Sequence, residues 1–82
     1  SPRYGAAQRR VQMVEKTIEL TGSSANGIED AVNLAIARAA VTIQGIRRVR
    51  ITDVTADVEN DRVTLWRVAM KLTFGIQDRL HE

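Results

Sequence analysis

The chain has 82 residues with no cysteine and a single histidine, which excludes disulfide bridges, thiolate metal sites and sites built from several histidines. A domain of this length buries only about 60% of the surface that its unfolded chain exposes, so self-association is the remaining route to a stable structure. No apolar run approaches the roughly 20 residues that span a membrane, and the lack of cysteine is compatible with a cytoplasmic protein.

The formal charge of +2 is unevenly distributed along the chain. Residues 1–12 contain three arginines and no acid, whereas from Met13 onward nine Lys or Arg residues face ten Asp or Glu residues. We therefore expect no nucleic-acid binding from the folded part, and binding through the basic arm would require that arm to be native. Residues 1–12 are interpreted as a flexible arm or an expression leader, and residues 13–82 as a single domain.

The first periodic segment, residues 14–20, alternates apolar and polar side chains and predicts a half-buried strand. Residues 21–27 are rich in glycine and serine and predict a turn. Ser24 or Asn26 can cap the helix that follows. An Asn26 cap would place Glu29 at the third helical position, as in a capping box.

Residues 28–44 predict a helix that ends at Gly45, where a left-handed backbone conformation is easiest. Apolar residues cover so much of its circumference that one three-stranded sheet cannot bury them all. Neighbouring subunits are therefore expected to cover the remainder. Arg38 and Thr42 are four residues apart and form a narrow polar seam beside that contact.

Two strands follow the helix. In the first, Ile46–Glu59, the apolar residues change from odd to even positions, which predicts a bulge or a sharp bend near residues 52–54. Asn60 and Asp61 provide a hairpin turn into the last strand, residues 62–74.

The order strand, helix, strand, strand predicts an α+β fold of the βαββ type. A right-handed crossover that leaves a gap between its two parallel strands allows the last strand to insert antiparallel between them. We therefore expect a three-stranded antiparallel sheet wrapped around one helix, with residues 62–74 as the central strand. Trp66 belongs to the face that covers the helix and Arg67 to the opposite face. Residues 75–82 are expected to fray.

No catalytic arrangement is visible, so the chain is not expected to be an enzyme, and His81 has no plausible partner. The basic run at residues 47–50 allows either ligand binding or ion pairing with acids of adjacent strands or subunits. No metal site follows a recognised spacing. Four acids lie around the hairpin, namely Asp53, Asp57, Glu59 and Asp61. Two interpretations remain for them, an acidic rim in contact with solvent or a site for a cation shared between subunits.

Three segments together give the chain a family resemblance: VEKTIELTGSS, AIARAAVT at the end of the helix, and WRVAMKLTF in the last strand. In this order they resemble the dodecin family over residues 13–74. The resemblance implies a small bacterial or archaeal protein that forms a hollow homododecamer. It also implies a non-enzymatic store that binds flavins, such as FMN or riboflavin, in pairs at subunit contacts.

The signature flavin contacts of the family are replaced in this chain. In the family pattern an aspartate-tryptophan pair begins the second strand, and the tryptophan stacks on the flavin ring; Arg47 and Arg48 occupy these positions. A glutamine after the aromatic residue of the third strand bonds the edge of the flavin, and Arg67 stands there. Thr55 and Gly75 replace arginines that flavin-binding relatives often have.

Arginine offers only hydrogen-bond donors and carries a charge that must be solvated or paired, so paired flavins in the usual geometry are not expected. Arg38 and Thr42, which line the same contact in the family, are retained, and with Arg48 and Arg67 they are the predicted cofactor-binding residues. Repeated across a two-fold contact, these arginines would form a cationic pocket for phosphate or a nucleotide such as coenzyme A. The alternative is a structural shell whose arginines form interface ion pairs without a small ligand.

Overall fold

The computed structural model describes residues 14–76, so the expectations for the arm at residues 1–12 and for His81 lie outside the described residues. Three strands form one sheet in the order β1-β3-β2, with β3 antiparallel to both neighbours. The predicted βαββ order and the central position of the last strand are confirmed. The elements are β1 (Val14–Ser24), α1 (Ile28–Ala40), β2 (Ile46–Glu59) and β3 (Arg62–Ile76).

β1 continues beyond the predicted strand through residues 21–24. The prediction of a turn there was wrong, because these residues pair with β3, with Gly22 opposite Val68. A Cβ added to Gly22 would overlap the carbonyl oxygen of Ala31 and lie 3.1 Å from the Cβ of Ala35. The glycine therefore allows α1 to pack closely on β1, rather than forming a turn.

α1 begins after Gly27, whose φ of 144° favours glycine. Among the described residues, no side chain caps the first turn of the helix with a hydrogen bond. The predicted cap by Ser24 or Asn26 was therefore wrong, and so was the capping box with Glu29. The Ser24 Oγ instead accepts the Asn26 N–H at 2.9 Å and donates to the Asp30 carboxylate at 2.6 Å. Glu29 and Asp30 both lie in the first turn, where the helix dipole favours negative charge.

α1 ends at Ala40, four residues earlier than predicted. Its last turn tightens, because the Val41 N–H bonds to the Arg38 carbonyl, only three residues back. Thr42 consequently lies in a turn after the helix. Gly45 has the expected left-handed conformation, with φ of 78°, but it closes a short loop instead of capping the helix.

β2 changes phase at Thr52, the extra residue of a bulge between Ile51 and Asp53. Of the two predicted alternatives, the bulge is confirmed. It places apolar residues of both halves, Val49 and Val54, opposite the buried β3 residues Leu72 and Val68. The β2–β3 turn is formed by Asn60 and Asp61, whose positive φ values of 52° and 66° fit a type I′ hairpin. β3 then runs to Ile76, so the first two residues of the segment expected to fray belong to the sheet.

The core lies between α1 and the even-numbered face of β3. Val68, Met70 and Leu72 are fully buried there, while Trp66 is half-buried at the margin. The prediction that this face covers the helix is confirmed. Within residues 14–76, no helix is long and apolar enough to cross a membrane. Apolar side chains of α1 and the turn after it remain exposed in the protomer, among them Ile28, Leu34 and Val41.

Candidate functional site

The face of the sheet that points away from α1, here called the outer face, carries the odd-numbered residues of β3 and the residues opposite them. Three arginines on this face pair with carboxylates. They lie in two separate groups. Arg47 and Arg48 share Glu15, and this group is called the Glu15 cluster, whereas Arg67 pairs with Asp57.

The Glu15 cluster brings two consecutive arginines to one carboxylate. Arg48 Nη2 donates to Glu15 Oε1 at 2.8 Å, and Arg47 Nε lies 3.5 Å from Oε2. In a regular strand, consecutive side chains point to opposite faces. The two arginines converge because the pairing of β2 with β3 shifts between Ile46 and Arg48, which leaves Arg47 as a bulge residue.

The Glu15 cluster crosses the central strand, since Glu15 is on β1 and both arginines are on β2. The crossing takes place over Gly75, the β3 residue opposite Glu15. A Cβ on Gly75 would lie 2.7 Å from Nη2 and 2.9 Å from Nε of Arg47. The missing side chain therefore provides the space in which the Arg47 guanidinium lies against β3.

The second group is a bidentate ion pair near the hairpin. Arg67 donates from Nε to Asp57 Oδ1 at 3.2 Å and from Nη2 to Oδ2 at 2.9 Å. These hydrogen bonds, aided by the positive charge of Arg67, lower the pKa of Asp57 below its ordinary value of 3.8. The carboxylate in turn raises the pKa of Arg67. The pair is therefore fully ionised and electrically neutral near pH 7.

The structure separates the predicted cofactor-binding residues. In the strand register, Arg48 lies opposite Thr73 of β3. Arg67 is six residues from Thr73 along β3, which is about 20 Å at the usual rise per residue. Arg38, in the last turn of α1, and Thr42, in the turn after it, are both exposed. Arg48 and Arg67 therefore lie far apart on the sheet of one protomer.

One interpretation of the basic run at residues 47–50 was ion pairing with acids of adjacent strands. Arg47 and Arg48 do pair with a strand acid inside the protomer, whereas Arg50 makes no ion pair within residues 14–76. The acids near the hairpin form no group of three carboxylates in the described part of the chain, and Asp57 is engaged by Arg67.

Sequence reasoning missed Glu15 and treated Gly75 only as a departure from the family pattern. Neither carries a local signal, because their roles depend on β1 and β2 lying on opposite sides of β3. The sheet also holds a shallow depression of about 290 Å³ that the sequence did not indicate. It is lined by Glu19, Leu20, Thr21, Thr52, Ala69 and Met70.

Comparisons with known proteins identify the family. The dodecin family model matches residues 14–77. Dodecin from Streptomyces coelicolor is 28% identical, with a TM-score of 0.78, over 83% of this chain and 97% of that chain. A Thermus thermophilus dodecin variant is 26% identical, with a TM-score of 0.77, over 80% of this chain and 98% of that chain.

A more distant structure shares the fold alone. The calcium dodecin of Mycobacterium tuberculosis, described as a calcium-chelating antigen, is 24% identical with a TM-score of 0.68, over 80% of this chain and 94% of that chain. None of the curated proteins matches the chain significantly. Because the family model spans all of the described residues and the fold agrees, the chain belongs to the dodecin family of homo-oligomeric, small ligand-binding proteins.

Proposed function

We propose that this protein is a non-enzymatic homododecamer that sequesters a small anionic ligand at its subunit contacts. The observation that carries this proposal is the Glu15 cluster, in which two guanidinium groups share one carboxylate and leave an excess positive charge on the outer face. Assembly is supported by the apolar side chains of α1 that one protomer leaves exposed, because such surface is usually covered by a partner.

Phosphate or a phosphate-containing nucleotide suits these arginines better than a pair of flavins does. Guanidinium groups match phosphate oxygens in charge and geometry. By the resemblance, Arg48 and Arg67 also correspond to the flavin-contact tryptophan and glutamine of the family, and both are engaged by carboxylates. Flavin binding is accordingly proposed to be weakened or lost. Across a two-fold contact, Arg38 and Thr42 would complete the pocket.

The flavin part is tested by the absorbance spectrum of the purified protein and by titration of riboflavin. A colourless protein that leaves riboflavin fluorescence unchanged at saturating concentration is expected. A yellow protein, or strong quenching, would contradict the loss of flavin binding. Light scattering should give a mass near that of twelve protomers, and a stable monomer or dimer would overturn the assembly.

The anion part is tested by calorimetric titration of ADP into Arg48→Ala. We expect affinity to fall by roughly tenfold or more, since a charge-assisted contact is lost. Arg50→Ala is the matched control, because it removes the same charge from the same strand but breaks no ion pair within the described residues. Equal losses in both variants would mean that net charge, and not a site at Arg48, attracts the nucleotide.

A structural shell without a small ligand is the second candidate, and one observation favours it. Arg47, Arg48 and Arg67 each have a carboxylate partner inside the protomer. If these pairs serve only to hold the protein together, no phosphate ligand binds and Arg67→Ala lowers the stability of the assembly. An Arg67→Ala assembly as heat-resistant as the wild type would argue against the shell.

A further inference from the structure

We propose that the Glu15 cluster is an anion-binding site in which the Glu15 carboxylate occupies the ligand position and is displaced by a phosphate group. This inference rests on the proposed function, since it assigns the anionic ligand to particular residues. It adds a competitor, Glu15, that neither the family pattern nor the sequence had indicated.

The guanidinium groups of the cluster are only partly engaged. Within residues 14–76, Arg48 makes one side-chain hydrogen bond, to Glu15, and Arg47 makes none, because its 3.5 Å approach is an ion pair without hydrogen-bond geometry. The remaining N–H donors are open to solvent, since the side chains of Arg47 and Arg48 are 40% and 63% exposed. A ligand can therefore reach both arginines at once.

The geometry fixes where the two guanidinium groups meet. The bulge turns Arg47 and Arg48 toward one point, and Gly75 allows Arg47 to lie over the central strand. Two threonine hydroxyls form a hydrogen bond of 2.9 Å on the same face, Thr17 on β1 and Thr73 on β3 opposite Arg48. Within residues 14–76, the outer face around the cluster is therefore polar and offers no apolar platform for a stacked ring.

Charge predicts which ligands displace Glu15. A single carboxylate ligand offers the arginines no more charge than the resident carboxylate already does, so the exchange gains little. A phosphate monoester or diphosphate brings more negative charge and more acceptor oxygens to the same two guanidinium groups. The site should therefore select phosphates over carboxylates. Arg67 is not expected to bind phosphate in this way, because it makes two hydrogen bonds to Asp57 and the charge of each is neutralised by the other.

The test is a calorimetric titration of inorganic pyrophosphate into the wild-type protein, Glu15→Gln and Glu19→Gln. Removing the competing carboxylate should tighten binding roughly tenfold in Glu15→Gln, as expected when a charged hydrogen-bond competitor is lost. Glu19→Gln removes one negative charge from the same strand and the same face, opposite Lys71, without touching the cluster. It should change affinity less than about twofold.

The outcomes distinguish a failure of this inference from a failure of the proposed function. If the wild type binds and Glu15→Gln is no tighter than Glu19→Gln, Glu15 is not a competitor, although an anion store survives. Binding by Glu15→Gln but not by the wild type would show that Glu15 blocks the site without being displaced, which overturns both the displacement and the store. If none of the three proteins binds pyrophosphate, both the inference and the proposed anion store are overturned.

A second measurement covers the case in which Glu15→Gln does not assemble. The wild type alone is titrated with pyrophosphate and with malonate, a dicarboxylate. Pyrophosphate should bind roughly tenfold more tightly, because its additional charge and oxygens displace Glu15. Equal affinities would overturn the selection of phosphate over carboxylate on which the inference depends.

Discussion

Gly22 on β1 and Gly75 on β3 both lie where a side chain has no room, but different groups fill the space. Gly22 faces the backbone carbonyl of Ala31 in α1, whereas Gly75 faces the guanidinium of Arg47. A helix carbonyl cannot move unless the helix moves, while the end of an arginine side chain can rotate away. We infer that Gly22 serves the fold and Gly75 serves the candidate site.

The same contrast separates the two faces of the sheet. Toward α1, fully buried apolar residues such as Met70 hold one arrangement, since close-packed interiors tolerate little displacement. On the outer face, exposed ion pairs contribute little to stability and can exchange partners with a ligand. Substitutions at the two glycines should therefore affect different properties.

Gly22→Ala should have the largest effect. The new methyl group overlaps the Ala31 carbonyl and pushes α1 off the sheet, so the free energy of unfolding should fall by about 3 kcal/mol. Urea denaturation at a fixed protein concentration measures the change. Ser23→Ala, at the exposed neighbouring position, is the control. An unchanged midpoint for Gly22→Ala would show that the helix can shift without cost, and the proposed contrast between the glycines would fail.

Gly75→Ala should leave the urea midpoint nearly unchanged but weaken pyrophosphate binding roughly tenfold, because the methyl group displaces the Arg47 guanidinium. Arg47→Ala provides the control through a double-mutant cycle. If the clash acts through Arg47, adding Gly75→Ala to Arg47→Ala has no further effect on affinity. Additive losses would mean that Gly75 influences binding by another route.

Much of this fold could be predicted from local patterns. The phase change in β2 predicted the bulge at Thr52, and Asn60 and Asp61 predicted the hairpin, because side-chain alternation and turn chemistry are local properties. Residues 21–24 were misassigned for a non-local reason. Their glycine and serine composition resembles a turn, but Gly22 is required by the approach of α1.

The candidate site was less predictable than the fold. The family resemblance predicted that Arg47 and Arg48 replace flavin contacts but gave no partner for them. Glu15 is separated from Arg48 by 33 positions in the chain and by a whole strand in the sheet. Its role depends on the strand order and on a second bulge, at Arg47. No change in the alternation of apolar and polar residues marks that bulge in the sequence.

Thr73→Val should have a smaller effect, and it tests whether polar contacts of the outer face stabilise the fold. It removes the hydrogen bond between Thr73 and Thr17, which is exposed, so Thr17 can bond to water instead. Valine also favours strands. The free energy of unfolding should therefore change by less than about 1 kcal/mol in urea denaturation. A loss as large as that of Gly22→Ala would erase the distinction between the two faces.

The smallest effect is expected at the Arg67–Asp57 pair. Because the pKa of Asp57 is below 3.8 in the folded protein and ordinary in the unfolded chain, the pair stabilises the fold above pH 3.8. This contribution is lost as the pH falls through the folded pKa. The unfolding midpoint of Asp57→Asn should therefore lie slightly below that of the wild type at pH 7, and the difference should close in acid.

Carboxyl NMR of Asp57 tests the pair directly. Its pKa should lie below 3.8 in the wild type and return toward that value in Arg67→Ala, whereas Arg50→Ala should leave it depressed. An Asp57 pKa that is the same in Arg67→Ala and the wild type would mean that the bidentate pair does not persist in solution. Arg67 would then be as open to a ligand as Arg48, and the Glu15 cluster would lose its distinction as the partly engaged group.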